Sequence, residues 1–76
     1  MHKLAESKLM AGFIYGDPAT EEYVYLPGSE VGTDNPVLIY ECEKKRQDIS
    51  IENALELIEK RSLRLTSHPI FRKRTL

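Results

Sequence analysis

The chain is poor in the residues that build redox, metal and membrane sites. Cys42 is the only cysteine among 76 residues, so an internal disulfide and a multi-cysteine metal site are both excluded. The two histidines, His2 and His68, lie far apart in sequence and show no metal-ligand spacing. No run approaches the roughly 18 apolar residues of a membrane span, and the first ten residues lack the apolar core of a signal peptide. We therefore expect a cytoplasmic protein with no cofactor and no membrane partner.

Motifs for nucleotide binding and catalysis are missing as well. Neither Gly28 nor Gly32 is followed by the Lys-Ser or Lys-Thr pair of a phosphate loop, and no Gly-x-Gly-x-x-Gly occurs. The acidic pairs at 21–22 and at 41 and 43 fit solvated charge better than acid–base catalysis, because adjacent strand residues point to opposite faces of a sheet and we expect the alternate pair to lie on a solvated face. We predict that the protein is not an enzyme.

The length and composition allow one small folded domain. Hydrophobic residues make up 41% and charged residues 30% of the chain, which is typical of a globular domain and argues against disorder. A chain this short does not divide further, so we predict a single domain over residues 1–76. Residues 1–10 have weak helical spacing and fit either a short helix or a loose arm, and residues 72–76 are interpreted as a flexible tail.

The first half is rich in β-forming residues. Two such runs flank Gly16-Asp17-Pro18, which predicts a hairpin with its turn across residues 16–21. A helix over residues 17–26 is the alternative, because an aspartate followed by a proline is typical of a helix start. Residues 27–36, with two prolines and two glycines, predict a long loop, and loops of this length are often functional.

The second half alternates between strand and helix patterns. The apolar run 37–43 predicts a central strand, and residues 44–48 predict a polar connector. From Ser50, an N-cap residue type, apolar residues recur at the i, i+3, i+4 and i+7 positions of an amphipathic helix over 50–61. Alternation then predicts a strand over 63–67.

These elements predict an α+β fold, with a three- to four-stranded, mostly antiparallel sheet packed by one main amphipathic helix, 50–61. A C-terminal βαβ unit is the alternative topology, because the connection between strands 37–43 and 63–67 is long enough for a parallel crossover. Within the first of these strands Cys42 shares a face with Leu38 and Tyr40, which indicates a buried structural thiol.

Charge is distributed unevenly along the chain. Residues 1–43 hold two bases against eight acids, a net charge of −6, whereas residues 44–76 hold nine bases against four acids, a net charge of +5. If strands 37–43 and 63–67 run parallel, the clusters 44–46 and 72–74 leave the same end of the sheet and form one basic patch. The candidate binding residues are Lys44, Lys45, Arg46, Arg64, Phe71, Arg72, Lys73 and Arg74.

An interaction module is the function that this sequence favours. Without catalytic motifs, the charged surface and the 27–36 loop predict regulatory binding to a larger macromolecule, most often a protein. Nucleic acid is the alternative partner, since a basic patch binds phosphates and Phe71 could stack on a base. A homodimer formed through Ile70-Phe71 is a further expectation.

The run from Ser50 to Glu59, which lies between two predicted strands, resembles the helix region of a small phage inhibitor of bacterial RNA polymerase. The resemblance covers that helix alone and carries over no functional residues. It implies a second alternative function, a small phage-type regulator of a host enzyme.

Overall fold

The computed structural model describes residues 2–66, which form a small α+β domain of five strands and two helices. The α+β class is therefore confirmed, although the sheet has more strands than the three or four expected. The candidate residues Phe71, Arg72, Lys73 and Arg74, the Ile70-Phe71 pairing and the predicted tail lie outside the described residues. The elements are α1 (His2–Met10), β1 (Ile14–Asp17), β2 (Glu22–Tyr25), β3 (Leu38–Cys42), β4 (Lys45–Ile49), α2 (Ile51–Lys60) and β5 (Arg64–Thr66), with a 3₁₀ turn at Gly28–Glu30.

The strands form one antiparallel sheet in the order β4-β3-β2-β1-β5. Across its middle, Tyr15 lies opposite Val24, and Val24 lies opposite Tyr40. The predicted hairpin between β1 and β2 is confirmed, and the alternative of a helix over 17–26 is wrong. Strong β-propensity in the run 23–25 outweighs the helix-start signal of Asp17 and Pro18.

The polar connector predicted over residues 44–48 is wrong, because residues 45–49 form strand β4. A two-residue turn joins β3 to β4, and its residues Glu43 and Lys44 both adopt positive φ, 51° and 71°. This backbone is the usual one for a tight hairpin, but the usual residues are asparagine, aspartate and glycine. Glu43 and Lys44 therefore give no sequence signal for a tight turn. The residues of β4 show no alternation of apolar and polar side chains, so hydrophobic periodicity gives no signal for the strand.

The alternative βαβ topology is also corrected. The β4 hairpin reverses the chain before α2, so β3 and β5 run in opposite directions. The parallel strands joined through α2 are β4 and β5, which occupy the two edges of the sheet with three strands between them. Helix α2 consequently connects one edge of the sheet to the other.

Both helices contribute to the core on one face of the sheet. Ser50 caps α2 as predicted, its hydroxyl accepting a hydrogen bond from the Asn53 amide at 3.2 Å. Of the two alternatives for residues 1–10, the short helix is the correct one, because His2–Met10 form helix α1. The buried core residues on this face are Leu9, Tyr15, Val24, Leu26, Leu38, Ile49, Ala54 and Leu63.

Both helices end in the same way, through a residue with positive φ. Gly12 (φ 96°) follows α1 and Ser62 (φ 53°) follows α2. The next amide in each case, that of Phe13 or Leu63, bonds back to a carbonyl five residues earlier in the chain. These are Schellman motifs, in which glycine is the favoured residue and serine is a strained substitute.

A smaller apolar cluster lies on the opposite face of the sheet. It comprises Ile14, Tyr23 and Tyr25, with Ile39 packed against them. Tyr23 lies across from Gly16 in the β1–β2 pair, and a Cβ atom at Gly16 would collide with the Tyr23 ring and the Glu22 carbonyl. The glycine is therefore required by the close approach of β2.

Candidate interaction surface

An open cleft of about 820 Å³ lies at the end of the sheet where β4 stops and α2 begins. One wall is the second half of the long loop, and the other is the junction between β4 and α2, with α1 contributing from the side. The lining residues are Glu6, Met10, residues 33–37 and residues 48–53. The loop that the sequence marked as a functional candidate thus borders a concave surface.

Glu30 holds this loop in place. Its carboxylate accepts a hydrogen bond from the Val37 amide at 2.9 Å, and its carbonyl accepts bonds from the amide and hydroxyl of Thr33. The chain between Glu30 and Val37 is therefore closed on itself immediately before β3. This internal bonding fixes the wall of the cleft without help from a partner.

The cleft is acidic and partly apolar. Four carboxylates line it, those of Glu6, Asp34, Asp48 and Glu52, and no lysine or arginine is among the lining residues described. Val37, at 40% exposure, adds apolar surface, together with Met10, Pro36 and Ile51. Such a lining favours a cationic group attached to an apolar chain over an anion. Among the residues described, no cluster of histidine, cysteine and carboxylate side chains is arranged to hold a metal ion.

The basic residues predicted as a binding patch are separated in the described part of the chain. Lys44 lies in the β3–β4 turn, Lys45 and Arg46 follow it on edge strand β4, and Arg64 begins β5 at the other edge. Four inter-strand spacings, roughly 19 Å, separate the two edges. The parallel arrangement on which the two-part patch depended is absent, and Thr66 lies at the opposite end of the sheet from Lys44.

A buried carboxylate network that the sequence did not indicate joins the sheet to the end of α2. Glu22, at 3% exposure, accepts hydrogen bonds from the hydroxyls of Tyr40 at 2.8 Å and Thr20 at 2.9 Å. The Arg61 guanidinium, just after α2, lies 2.9 Å from the same carboxylate. The only indication in the sequence is the spacing of Glu22, Val24 and Leu26. Residues two apart on a strand share one face, so Glu22 lies on the inward face of β2 with the two apolar residues.

These partners keep Glu22 ionised. Burial alone raises the pKa of its carboxyl group, but the hydrogen bonds from Tyr40, Arg61 and Thr20 outweigh burial and hold the pKa below its usual value. Burial and the bond to Glu22 raise the pKa of Tyr40. A carboxylate whose two oxygens are both occupied in this way stabilises the fold and is poorly placed to act on a substrate.

A second carboxylate pairs on the opposite face. Glu41 is buried, accepts a hydrogen bond from the Tyr25 hydroxyl at 3.4 Å, and forms an ion pair with Arg46 at 3.5 Å. Arg46, one of the predicted binding residues, therefore has an internal partner, although its side chain is 62% exposed. Cys42 shares the helix-facing side with Tyr40 as predicted, but it is only partly buried.

Comparison with protein-family models, with curated proteins and with solved structures gives no match for this chain. Among residues 2–66, neither helix has the length and apolar character needed to cross a bilayer. The function of the chain is therefore inferred from the arrangement of its own residues.

Proposed function

We propose that the protein is a non-enzymatic interaction module that binds a partner protein through the acidic cleft beside the 27–36 loop. The observation that carries the proposal is the composition of the cleft, with four carboxylates, exposed apolar surface and no basic residue among its described lining. Loops positioned by a rigid scaffold are frequent binding elements. In this fold the hydrogen bond from the Val37 amide to the Glu30 carboxylate ties the loop to the residue that precedes β3.

The partner that fits this surface is a protein segment rich in lysine or arginine, with at least one apolar side chain. Lysine and arginine would lie near the carboxylates of Asp34 and Glu52, and the apolar side chain would contact Val37. A nucleic-acid backbone is negatively charged, as the cleft is, and would be repelled there. The nucleic-acid alternative therefore depends on the basic residues 44–46 and 64, which do not line the cleft, and on residues 72–74, which lie outside the described residues.

The direct test is a nuclear magnetic resonance titration with synthetic peptides that alternate lysine with leucine. We expect amide shifts at residues 33–35, 37 and 50–53, and we expect binding to weaken as salt is added. Glu52→Gln should reduce the affinity, whereas Glu56→Gln, one turn further along α2 and outside the lining of the cleft, should not. A peptide with glutamate in place of lysine should not bind.

Two results would contradict the proposal. One is equal binding of the basic and acidic peptides, and the other is equal loss of affinity in the two glutamine variants. Gel shifts with single- and double-stranded DNA and RNA at low salt test the alternative. A mobility shift that is lost in Lys44→Ala/Lys45→Ala would favour nucleic acid over protein.

A further inference from the structure

Strand β4 has an edge that no described element covers. It pairs with β3 on one side only, and four of its five residues are exposed. The two-residue turn makes Cys42 and Lys45 the first hydrogen-bonded pair of the hairpin, so alternation sets the direction of every later backbone group. Lys45, Gln47 and Ile49 direct their amides and carbonyls toward β3, whereas Arg46 and Asp48 direct theirs outward.

We propose that two copies of the chain pair through this edge, β4 against β4 in antiparallel orientation, about a two-fold axis at Gln47. In that register Arg46 of each copy lies opposite Asp48 of the other. Both residues have outward-facing backbone groups, so each Arg46–Asp48 pair is a hydrogen-bonded pair of the new ladder. The pairing therefore joins opposite charges at both positions.

The neighbouring two-fold registers are disfavoured by charge. A shift that centres the axis on Arg46 places the two arginines opposite each other, and a shift that centres it on Asp48 does the same with the aspartates. In the registers between these, the outward-facing backbone groups of one copy lie opposite inward-facing groups of the other. The hydrogen bonds between the two copies then cannot form. The order of residues in β4 thus selects one self-complementary arrangement.

Arg46 can serve this pairing without leaving its internal partner. Its guanidinium contacts Glu41 on the same face of the sheet, and most of its side chain remains exposed. On that face the charged side chains across the β4–β4 interface would be, in order, Glu41, Arg46 and the second copy's Asp48. Negative and positive charges therefore alternate. The product is a continuous sheet of the ten strands described for the two copies, with their four described helices on one side, because the two-fold axis is perpendicular to the sheet.

Sedimentation equilibrium of the full chain up to about 1 mM tests the proposal, since a single short ladder with two hydrogen-bonded pairs predicts a weak dimer. Asp48→Arg places arginine opposite arginine and should raise the dissociation constant by about tenfold or more. Asp48→Pro removes an outward amide without removing a bond to β3 and should also weaken the dimer. Glu56→Arg, with the same change of charge on the exposed face of α2, should dimerise like the wild type.

Circular dichroism establishes that each variant is folded, and amide exchange locates the interface. With rising wild-type concentration the amides of Arg46 and Asp48 should become protected from exchange. A wild-type chain that stays monomeric at about 1 mM overturns the proposal. A folded Asp48→Arg variant that dimerises as strongly as the wild type, or protection confined to other strands, overturns it as well.

Discussion

Removing the Tyr40 hydroxyl should destabilise the protein in a pH-dependent way. The substitution Tyr40→Phe keeps the ring in the core and deletes only the donor that lies 2.8 Å from the Glu22 carboxylate. Hydrogen bonds to charged groups contribute about 1.5 to 3 kcal/mol, because an ionised acceptor that loses its donor keeps the cost of burial. We therefore expect the free energy of unfolding at pH 7 to fall by about 1.5 to 3 kcal/mol.

The expected loss is large for a chain of this length. Domains carry roughly 0.05 to 0.15 kcal/mol of stability per residue, or about 4 to 11 kcal/mol here. In a thermal melt followed by circular dichroism, the midpoint should fall by roughly 6 to 24 °C. Tyr15→Phe is the matched control, because Tyr15 lies on the same face and none of the hydrogen bonds described involves its hydroxyl.

The pH dependence follows from the lowered pKa of Glu22. A carboxyl group whose pKa is lower in the folded state contributes stability that is present above its unfolded pKa, near 4.5, and is lost as the pH falls through the folded value. Once Glu22 is protonated, Tyr40 donates to a neutral group, so the difference between wild type and Tyr40→Phe should shrink toward pH 3. Equal melting of Tyr40→Phe and Tyr15→Phe, or a difference that does not change with pH, would refute this reasoning.

Three further substitutions test the backbone. Ser62→Gly should raise the free energy of unfolding by about 1 kcal/mol, because glycine adopts the positive φ at the end of α2 without strain. Urea unfolding measures the gain. Lys44→Gly should raise the free energy of unfolding for the same reason, by about 1 to 2 kcal/mol in the same urea assay, and a decrease would contradict the positive φ of Lys44 in the β3–β4 turn. Gly16→Ala should cost about 1 to 3 kcal/mol in the same assay, because its methyl group meets Tyr23 and the Glu22 carbonyl. A neutral result would contradict that close approach.

The parts of the fold that carry a hydrophobic pattern could be predicted from the sequence. Helix α2 was predicted because its apolar residues repeat with helical spacing after a capping serine, and β3 was predicted because an apolar run follows a proline. The hairpin of β1 and β2 had both β-propensity and turn residues. In each case burial and local preference favour the same structure.

Strand β4 and the Glu22 network could not be predicted, for two different reasons. Strand β4 is an edge strand in which four of the five side chains are exposed, so it has no apolar pattern. Its strand structure depends on pairing with β3, and a local stretch of sequence contains no information about that pairing. Glu22, Tyr40 and Arg61 come from three separate elements, and only the register of β2 against β3 and the end of α2 bring them together. The βαβ alternative is wrong for the same reason. It omits β4, and the additional strand reverses the direction of the chain before α2 and β5.

The arrangement of the edges has a consequence for how the molecule acquires its structure. The β1–β2 and β3–β4 ladders each close over a turn of a few residues, whereas β1 meets β5 only after a loop of roughly fifty residues is closed. Short loops close faster and at lower entropic cost than long ones. We therefore expect the two hairpins to form early and the β1–β5 ladder to form last, so a destabilised β5 should accelerate unfolding more than it slows refolding.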